Sequence, residues 1–459
     1  MEEKIKENFF TKDPAFYRIL FPLLITVALQ NIVAYSVNMA DNIMLGSYSQ
    51  FALSGAATVN QIFFMVQQIT LGIGEGFVVL GAQYWGQKRM HPVRVLTGIA
   101  LKLGLICGVV IILICTFIPH QVVSIFTNDA GIIAEGVTYL GIIKYTFLLF
   151  IITNVLMAAL RCVETVKISF YISIVSLIVN VGINYVLIFG RFGAPELGIR
   201  GAAIGTLVAR VVELAIVLVY VLKVDKKLEL FSENFLKPDA ELRSDYAKVE
   251  IPVMLSQILW AVSVPMQTAI LGHLSADAIA ANSVATTFYQ YLKVIVVAMS
   301  SASAVMIGAS VGRGDMHRIK TDARTLAVID VVIGAVLGLS LFLLRGPLLS
   351  LYNLNDSAMV MADQLIVVMS FIMVGMSYQM PVSMGILRGG GDTKFTMYMN
   401  IISTWAIVIP LSFMSAFWWH WSVVGVVIVI QSDQVFKGLP TFIRFRSYKW
   451  VKKLTREDV

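Results

Sequence analysis

The sequence predicts an all-α integral membrane protein, with twelve transmembrane helices in two six-helix lobes related by a pseudo-two-fold axis along the membrane normal. Three observations carry this expectation. The 459 residues are 58% hydrophobic and only 14% charged, too apolar for a soluble chain of this length. Runs of about 20 apolar residues, enough to cross a bilayer as a helix, recur from end to end. The second half also echoes the first: GAQYWGQKRMH at 81–91 returns as GASVGRGDMH at 308–317, at an offset of 226 to 227, each after a long apolar run.

In chain order, helices are expected near 18–44, 52–84, 95–118, 136–159, 168–190, 199–222, 249–272, 278–308, 325–344, 361–386, 395–416 and 421–444. The first follows the mixed-charge MEEKIKENFFTKDPAFYR and has no small-residue cleavage site, so it reads as an uncleaved span. Of the 35 lysines and arginines, 29 fall on the side that holds both termini and three, Arg191, Arg200 and Arg345, on the other. Lys144, Arg210 and Lys293 lie within helices. That bias predicts a multi-pass protein of the cytoplasmic (inner) membrane with both termini in the cytoplasm, and it supports an even helix count. The net charge of +7 is then topological, and no nucleic-acid partner is expected. Cys107, Cys115 and Cys162 suggest no disulfide framework.

The repeat divides the chain into an N-terminal lobe (1–222), a cytoplasmic connector with six basic residues (223–248) and a C-terminal lobe (249–459). Ala159-Leu160-Arg161 with Thr165 and Lys167 pairs with Ile386-Leu387-Arg388 with Thr393 and Lys394, and Leu45-Gly46 pairs with Leu271-Gly272. Six spans per repeat preserve orientation, which sets the axis along the normal. Counted from the Leu-Gly pairs, Asp41 falls on Gln267, so only the first lobe holds an acid there. Pro22 and Pro252 open the two helices but stand 23 and 19 residues before those pairs, so helices 1 and 7 differ by about one turn.

Asp41 is the leading functional candidate, because an acid in a membrane helix is costly and marks ion or substrate handling. Asn31, Tyr35, Asn38 and Asn42 form a polar stripe beside it; the alternative is a hydrated acid at the outer rim. In helix 5, Ser173, Ser176, Asn180 and Asn184 share one face at spacings of 3, 4 and 4, suited to a cation cage or a hydrogen-bonded acid, or to helix packing alone. Glu75 reads as an interfacial acid or a second protonatable group. Arg210 and Glu213 read as a self-neutralising pair. Lys144 has no evident partner. Lys293 at the middle of helix 8 is expected to pair with Asp433, although Lys437 could take that acid, or else to face the cavity and favour anionic substrates. The cavity lining is expected to include Tyr35, Gln257, Trp260, Met266, Gln267, Tyr289, Lys293 and Tyr378, with further methionines and Trp405 on second-lobe helices, since thioethers and aromatic faces bind varied hydrophobic cations. Single stripes of this kind are equally core or lipid-facing.

Other patterns carry no chemistry. Gly308-Ala309-Ser310-Val311-Gly312 matches a hydrolase elbow but ends a membrane helix, Gly72-Gly74-Gly76 lacks a preceding strand, and the five histidines have no metal spacing. The chain is not expected to be an enzyme.

DNIMLG in helix 1, GAQYWGQ after helix 2, LRGGGDTK at 387–394 and INYVLIFG with GAPELGIRGAAIGT at 183–206 resemble the multidrug and toxic compound extrusion (MATE) transporters, bacterial type, over nearly all of the chain. The resemblance implies a central cavity, alternating access, and export of amphipathic, often cationic compounds against inward H⁺ or Na⁺. It implies that the helix 1 acid meets two Asx positions of helix 5, here Asp41 with Asn180 and Asn184; Asn38 on the polar stripe joins them as an ion-coupling candidate. Some members carry an Asp at the place of Asn184, and others carry acids in helices 7 and 10, where this chain holds approximately Trp260 and Ser377. Coupling is therefore expected in the N-terminal lobe. No cofactor is expected apart from H⁺ or Na⁺ as coupling ion, and no metal beyond Na⁺ at Asp41 should that be the ion. The expected partners are a small-molecule substrate and membrane lipid, with the protein a monomer. The rival readings are a flippase for a lipid-linked saccharide, which would add helices and a basic cavity, and a channel or receptor, against which the duplication argues.

Overall fold

The computed structural model describes residues 10–456, apart from 238, 275, 351, 353 and 354 and the side chains of 276 and 279. Among the described residues all regular structure is helical. Twelve helices are long and apolar enough to cross a membrane: α1 (Pro14–Tyr48), α2 (Gln50–Gly86), α3 (Met90–Phe117), α4 (Ala130–Cys162), α5 (Lys167–Phe189), α6 (Ile199–Lys223), α7 (Ala240–Gly272), α8 (Ala280–Arg313), α9 (Met316–Leu349), α10 (Asp356–Leu387), α11 (Thr393–Trp418) and α12 (Val423–Ser447).

Several run well past the apolar stretches that announced them. Hydropathy marks only the part that matches the bilayer, while the hydrogen-bond ladder continues through polar residues until something caps it. Such caps are present: Asp129 accepts from the amides of Gly131 and Ile132 ahead of α4, and Asp315 and Asn355 do the same for Arg318 and Ala358 at the starts of α9 and α10. At 35 residues, α1 is roughly 52 Å long, against about 30 Å of hydrocarbon. In α10 the helix widens by one residue per turn over Pro381–Leu387, beginning at the proline that cannot donate to the ladder.

The chain forms two compact units. One comprises 29–81 and 89–250, the other the residues up to 28, 82–88 and from 251 onward. In the first unit α3 packs on α4, and α4 and α5 both pack on α6. Its core is built from Ile73, Phe77, Leu140, Phe147 and Val155, each 1% exposed or less. The segment between α6 and α7 lies along α3: Arg94 Nε donates to the Leu228 carbonyl at 2.8 Å and its guanidinium pairs with Glu233, which also bonds His91, while Lys102 Nζ reaches the Leu236 carbonyl at 2.6 Å.

In the second unit α8, α9 and α10 pack mutually, around Tyr289, Leu337, Leu341, Met369, Met373 and Met376. Here the two copies of the repeated motif meet. A Cβ on Gly86 would lie 2.0 Å from the Ala309 carbonyl oxygen, and one on Gly312 would lie 2.0 Å from the Gln83 carbonyl oxygen. The contact is reciprocal, as across a two-fold axis, and it settles the repeat offset at 226. Ala82 and its counterpart Gly308 stand on the axis, 2.8 Å from Cβ to Cβ were Gly308 to carry one. The C-terminal segment straps this junction. Gln83 exchanges hydrogen bonds with Lys452 and Leu454, Gln87 bonds Thr455, and Trp450, fully buried, packs on Gly390. Asp392 receives Arg444 at 2.7 Å and Lys452 at 2.6 Å.

Candidate functional site

Asp41 stands seven residues before the end of α1, in its C-terminal half rather than at its middle, and is partly buried. It is not left to solvent. Asn184 of α5, completely buried, donates its amide to Asp41 Oδ1 at 2.6 Å and also to Asn180 Oδ1 at 3.3 Å. Asn180, 1% exposed, donates in turn to Thr206 Oγ1 of α6 at 3.2 Å, and the buried Tyr139 of α4 bonds to Thr206 as well. Asparagines 180 and 184 share a face because they are one helical turn apart. Their orientation follows from charge: an ionised carboxylate only accepts, so the relay must present donors toward it. Asn184 Oδ1 is buried without a hydrogen-bond partner and lies where Gly205 leaves room, since a Cβ on Gly205 would come within 1.9 Å of it. The group thus gathers a carboxylate and amide oxygens in one unit, with Arg210 adding a nearby positive charge. It can hold a proton on the acid, or offer hard oxygens to a small cation.

Two candidates of the polar stripe are more open than this group: Tyr35 is 41% exposed and Asn38 is exposed. Arg210 pairs with Glu213 at 2.6 Å and lies over Phe150. Lys144, for which sequence offered no partner, donates to Thr116 at 2.9 Å. Glu75 is a buried ion-pair member: it is 5% exposed and meets Arg161 at 3.0 Å.

In the second unit Asp433 bonds Lys437 at 2.6 Å, one turn along α12, and not Lys293. The local i, i+4 geometry makes that pair the shorter reach. Lys437 also donates to Asn400, and Lys293 instead lies over the ring of Trp260, 5.3 Å from its centre. Of the remaining lining candidates, Tyr289 is 4% exposed and donates to Met376 Sδ at 3.0 Å, Gln257 is buried, Gln267 is partly buried and Met266 is 39% exposed. Tyr378 is partly buried with its hydroxyl enclosed and unbonded.

Among the buried acids not singled out in the sequence is one deep in the second unit. Asp330, near the middle of α9, is 1% exposed, and both its carboxylate oxygens are buried without a hydrogen-bond partner. An acid in the apolar run IDVVIG was signal enough to find it. It lacked polar residues at helical spacing, the pattern that drew attention to Asp41 and Lys293.

A family model, MatE, matches residues 26–186 and 252–414, most of the chain in two copies. The chain is similar to the "Probable multidrug resistance protein NorM" of Thermotoga maritima, at 25% identity over 100% of this chain and 99% of that protein. It is also similar to the "Probable multidrug resistance protein YoeA" of Bacillus subtilis, at 24% identity over 89% and 88%. Its fold matches a Vibrio cholerae MATE transporter, VcmN, with a TM-score of 0.86 at 17% identity over 96% of this chain and 98% of that one. It likewise matches an outward-facing multidrug resistance MATE transporter, with a TM-score of 0.84 at 18% identity over 95% and 98%. A twelve-helix fold, a duplicated family match and relatives that align over their full length all agree, and the chain belongs to the MatE family: it is a multi-pass membrane transporter of the multidrug efflux type and not an enzyme.

Proposed function

We propose that this transporter is a secondary antiporter that exports amphipathic, cationic organic compounds in exchange for inward H⁺ or Na⁺, with coupling in its N-terminal lobe. The carrying observation is the relay Thr206, Asn180, Asn184, Asp41, whose last hydrogen bond is 2.6 Å. A carboxylate tied to a buried amide chain has two economical states. Charged, it requires water or a cationic substrate; neutralised by the ion, it can be enclosed. An ion that binds one conformation more tightly than the other shifts their populations by that difference in affinity, which is what ion-driven alternating access requires.

The charge bias supports an inner-membrane protein with cytoplasmic termini, working as a monomer among lipids. Relatives described as probable multidrug resistance proteins support small organic substrates. Twelve spans among the described residues, with a lysine that lies over Trp260, favour this reading over a saccharide-lipid flippase, which calls for more helices and a basic cavity. The test is efflux of a panel of fluorescent dyes from proteoliposomes under separate H⁺ and Na⁺ gradients. One gradient should drive export in the native protein, and Asp41→Asn should abolish driven export while the protein remains folded and inserted. Full export by Asp41→Asn would remove the coupling role from this site.

A further inference from the structure

Asp330 has an environment unlike that of any other acid described in the second unit. Asp392 receives two cations, Asp433 receives Lys437, and Asp322 has Arg318 and Ser310. Asp330 has none of these. It is 1% exposed, its two oxygens are buried without a hydrogen bond, and no ion pair forms on it among the described residues. An ionised carboxyl enclosed in this way is not a stable arrangement, because nothing replaces the water it has lost, so the group must carry something that neutralises it.

The surroundings indicate what that is. From α10, the Tyr378 hydroxyl lies within electrostatic reach of Asp330 and is itself buried and unbonded, as is the neighbouring Ser377 hydroxyl. The two helices approach closely one turn further on, where a Cβ at Gly334 would lie 2.5 Å from that of Ser377. From α8, Tyr289 is engaged with Met376 and Lys293 lies over Trp260, so neither serves the acid. No cluster of three His, Cys, Asp or Glu occurs among the described residues. One acid and two hydroxyls make a poor shell for a hard cation, which collects six or more oxygens, but they suit a proton, which needs only the acid.

We propose that Asp330 is a proton-carrying carboxyl of this transporter: enclosed between α9 and α10 it holds a proton, and during the transport cycle it exchanges that proton through the Tyr378 hydroxyl. When the hydroxyl turns onto the acid, the carboxyl O–H passes its proton to the phenol oxygen as the phenol's own proton passes to a solvent water, which leaves as hydronium, so the tyrosine ends neutral and Asp330 ends ionised. The return step reverses this. Tyr378 is the group positioned for the relay, because the residue is partly exposed while its hydroxyl is buried within electrostatic reach of the acid. The proposal does not rest on the role of Asp41.

The test uses the purified full-length protein in lipid. Infrared spectra at neutral pH should show a protonated-carboxyl band that disappears in Asp330→Asn, persists in Asp41→Asn and is indifferent to added Na⁺. Proton and dye fluxes measured together should give one proton fewer per dye in Asp330→Asn than in the native protein. Tyr378→Phe should retain the band but slow its exchange with deuterated solvent at least tenfold, a readout that remains should Asp330→Asn fail to fold. A band that survives in Asp330→Asn, a band abolished by Na⁺, an unchanged proton-to-dye ratio, or unslowed exchange in Tyr378→Phe would each overturn the proposal.

Discussion

At the scale of single residues, the hydrogen-bonded group of Asp41, Asn184 and Asn180 depends on an absence. Asn184 reaches Asp41 only because position 205 carries no side chain, a Cβ there coming within 1.9 Å of Asn184 Oδ1. Gly205→Ala should therefore push Asn184 aside, cost about 1–3 kcal/mol of stability as overpacking does, and lower ion-driven efflux as Asn184→Ala does. In an Asn184→Ala background the same change should cost less, because the side-chain clash has gone and only the 3.2 Å approach to the backbone nitrogen of residue 184 remains. Thermal unfolding of the four proteins tests this cycle, and an undiminished cost in the double variant would mean that Gly205 serves backbone packing instead. The two asparagines were legible in the sequence because 180 and 184 share a helix face and Asp41 is an acid in a membrane span. Gly205 was not, since its constraint comes from a residue 21 positions away on another helix. The pairing of Lys293 went wrong for the same reason. Periodicity displays neighbours along one helix, and it offered Lys437 to Asp433 while remaining silent about Trp260.

At the scale of elements, the segment between α6 and α7 is docked along α3, and its anchor is Arg94. That guanidinium, with a side chain 11% exposed, holds the Leu228 carbonyl and Glu233. The segment itself was legible as a basic connector between repeats. Its docking was not, because Arg94 counted only as one more charge on the cytoplasmic side. Hydrogen bonding from His91, with Arg94 adding to it, holds the Glu233 carboxyl below the ordinary glutamate range. A carboxylate lowered on folding stabilises above its unfolded pKa, about 4.3, and loses that stabilisation as pH falls through the lowered folded value. Amide exchange over 228–236 should thus keep its protection from neutrality down to about pH 4.3 and lose it at lower pH. Because Glu233 is largely exposed, the pH effect should be small. Arg94→Ala should have a larger one, about 2 kcal/mol or roughly thirtyfold faster local opening, since it strands a carbonyl and an acid together. Protection unaltered in Arg94→Ala would place the anchor elsewhere, with Lys102 and the Leu236 carbonyl the next contact to remove.

At the scale of the whole molecule, the compact units do not follow the sequence halves at every point. The duplication was legible from two motifs, and the reciprocal contact of Gly86 with Ala309 and Gly312 with Gln83 shows why those motifs are glycine-rich. Hydropathy could not show that α1 leaves one unit after Ala28, or that α7 leaves the other after Glu250, because an apolar helix reads the same in either setting. The alternating access proposed above requires movement, and a continuous helix shared by both units must absorb it. In α7 the passage is marked by Pro252, two residues beyond Glu250, which cannot donate to the Lys248 carbonyl and so leaves the ladder open by one bond at that point. A missing bond lowers the energy of bending there. Pro252→Ala restores it, and one added hydrogen bond of about 1 kcal/mol that must be broken in each cycle slows turnover roughly fivefold. Single-turnover dye efflux should then fall by that factor while equilibrium dye binding and unfolding temperature hold or rise. An unchanged efflux rate in a folded Pro252→Ala protein would show that the movement is taken up elsewhere, and Pro22, six residues before the passage in α1, would be the next position to straighten.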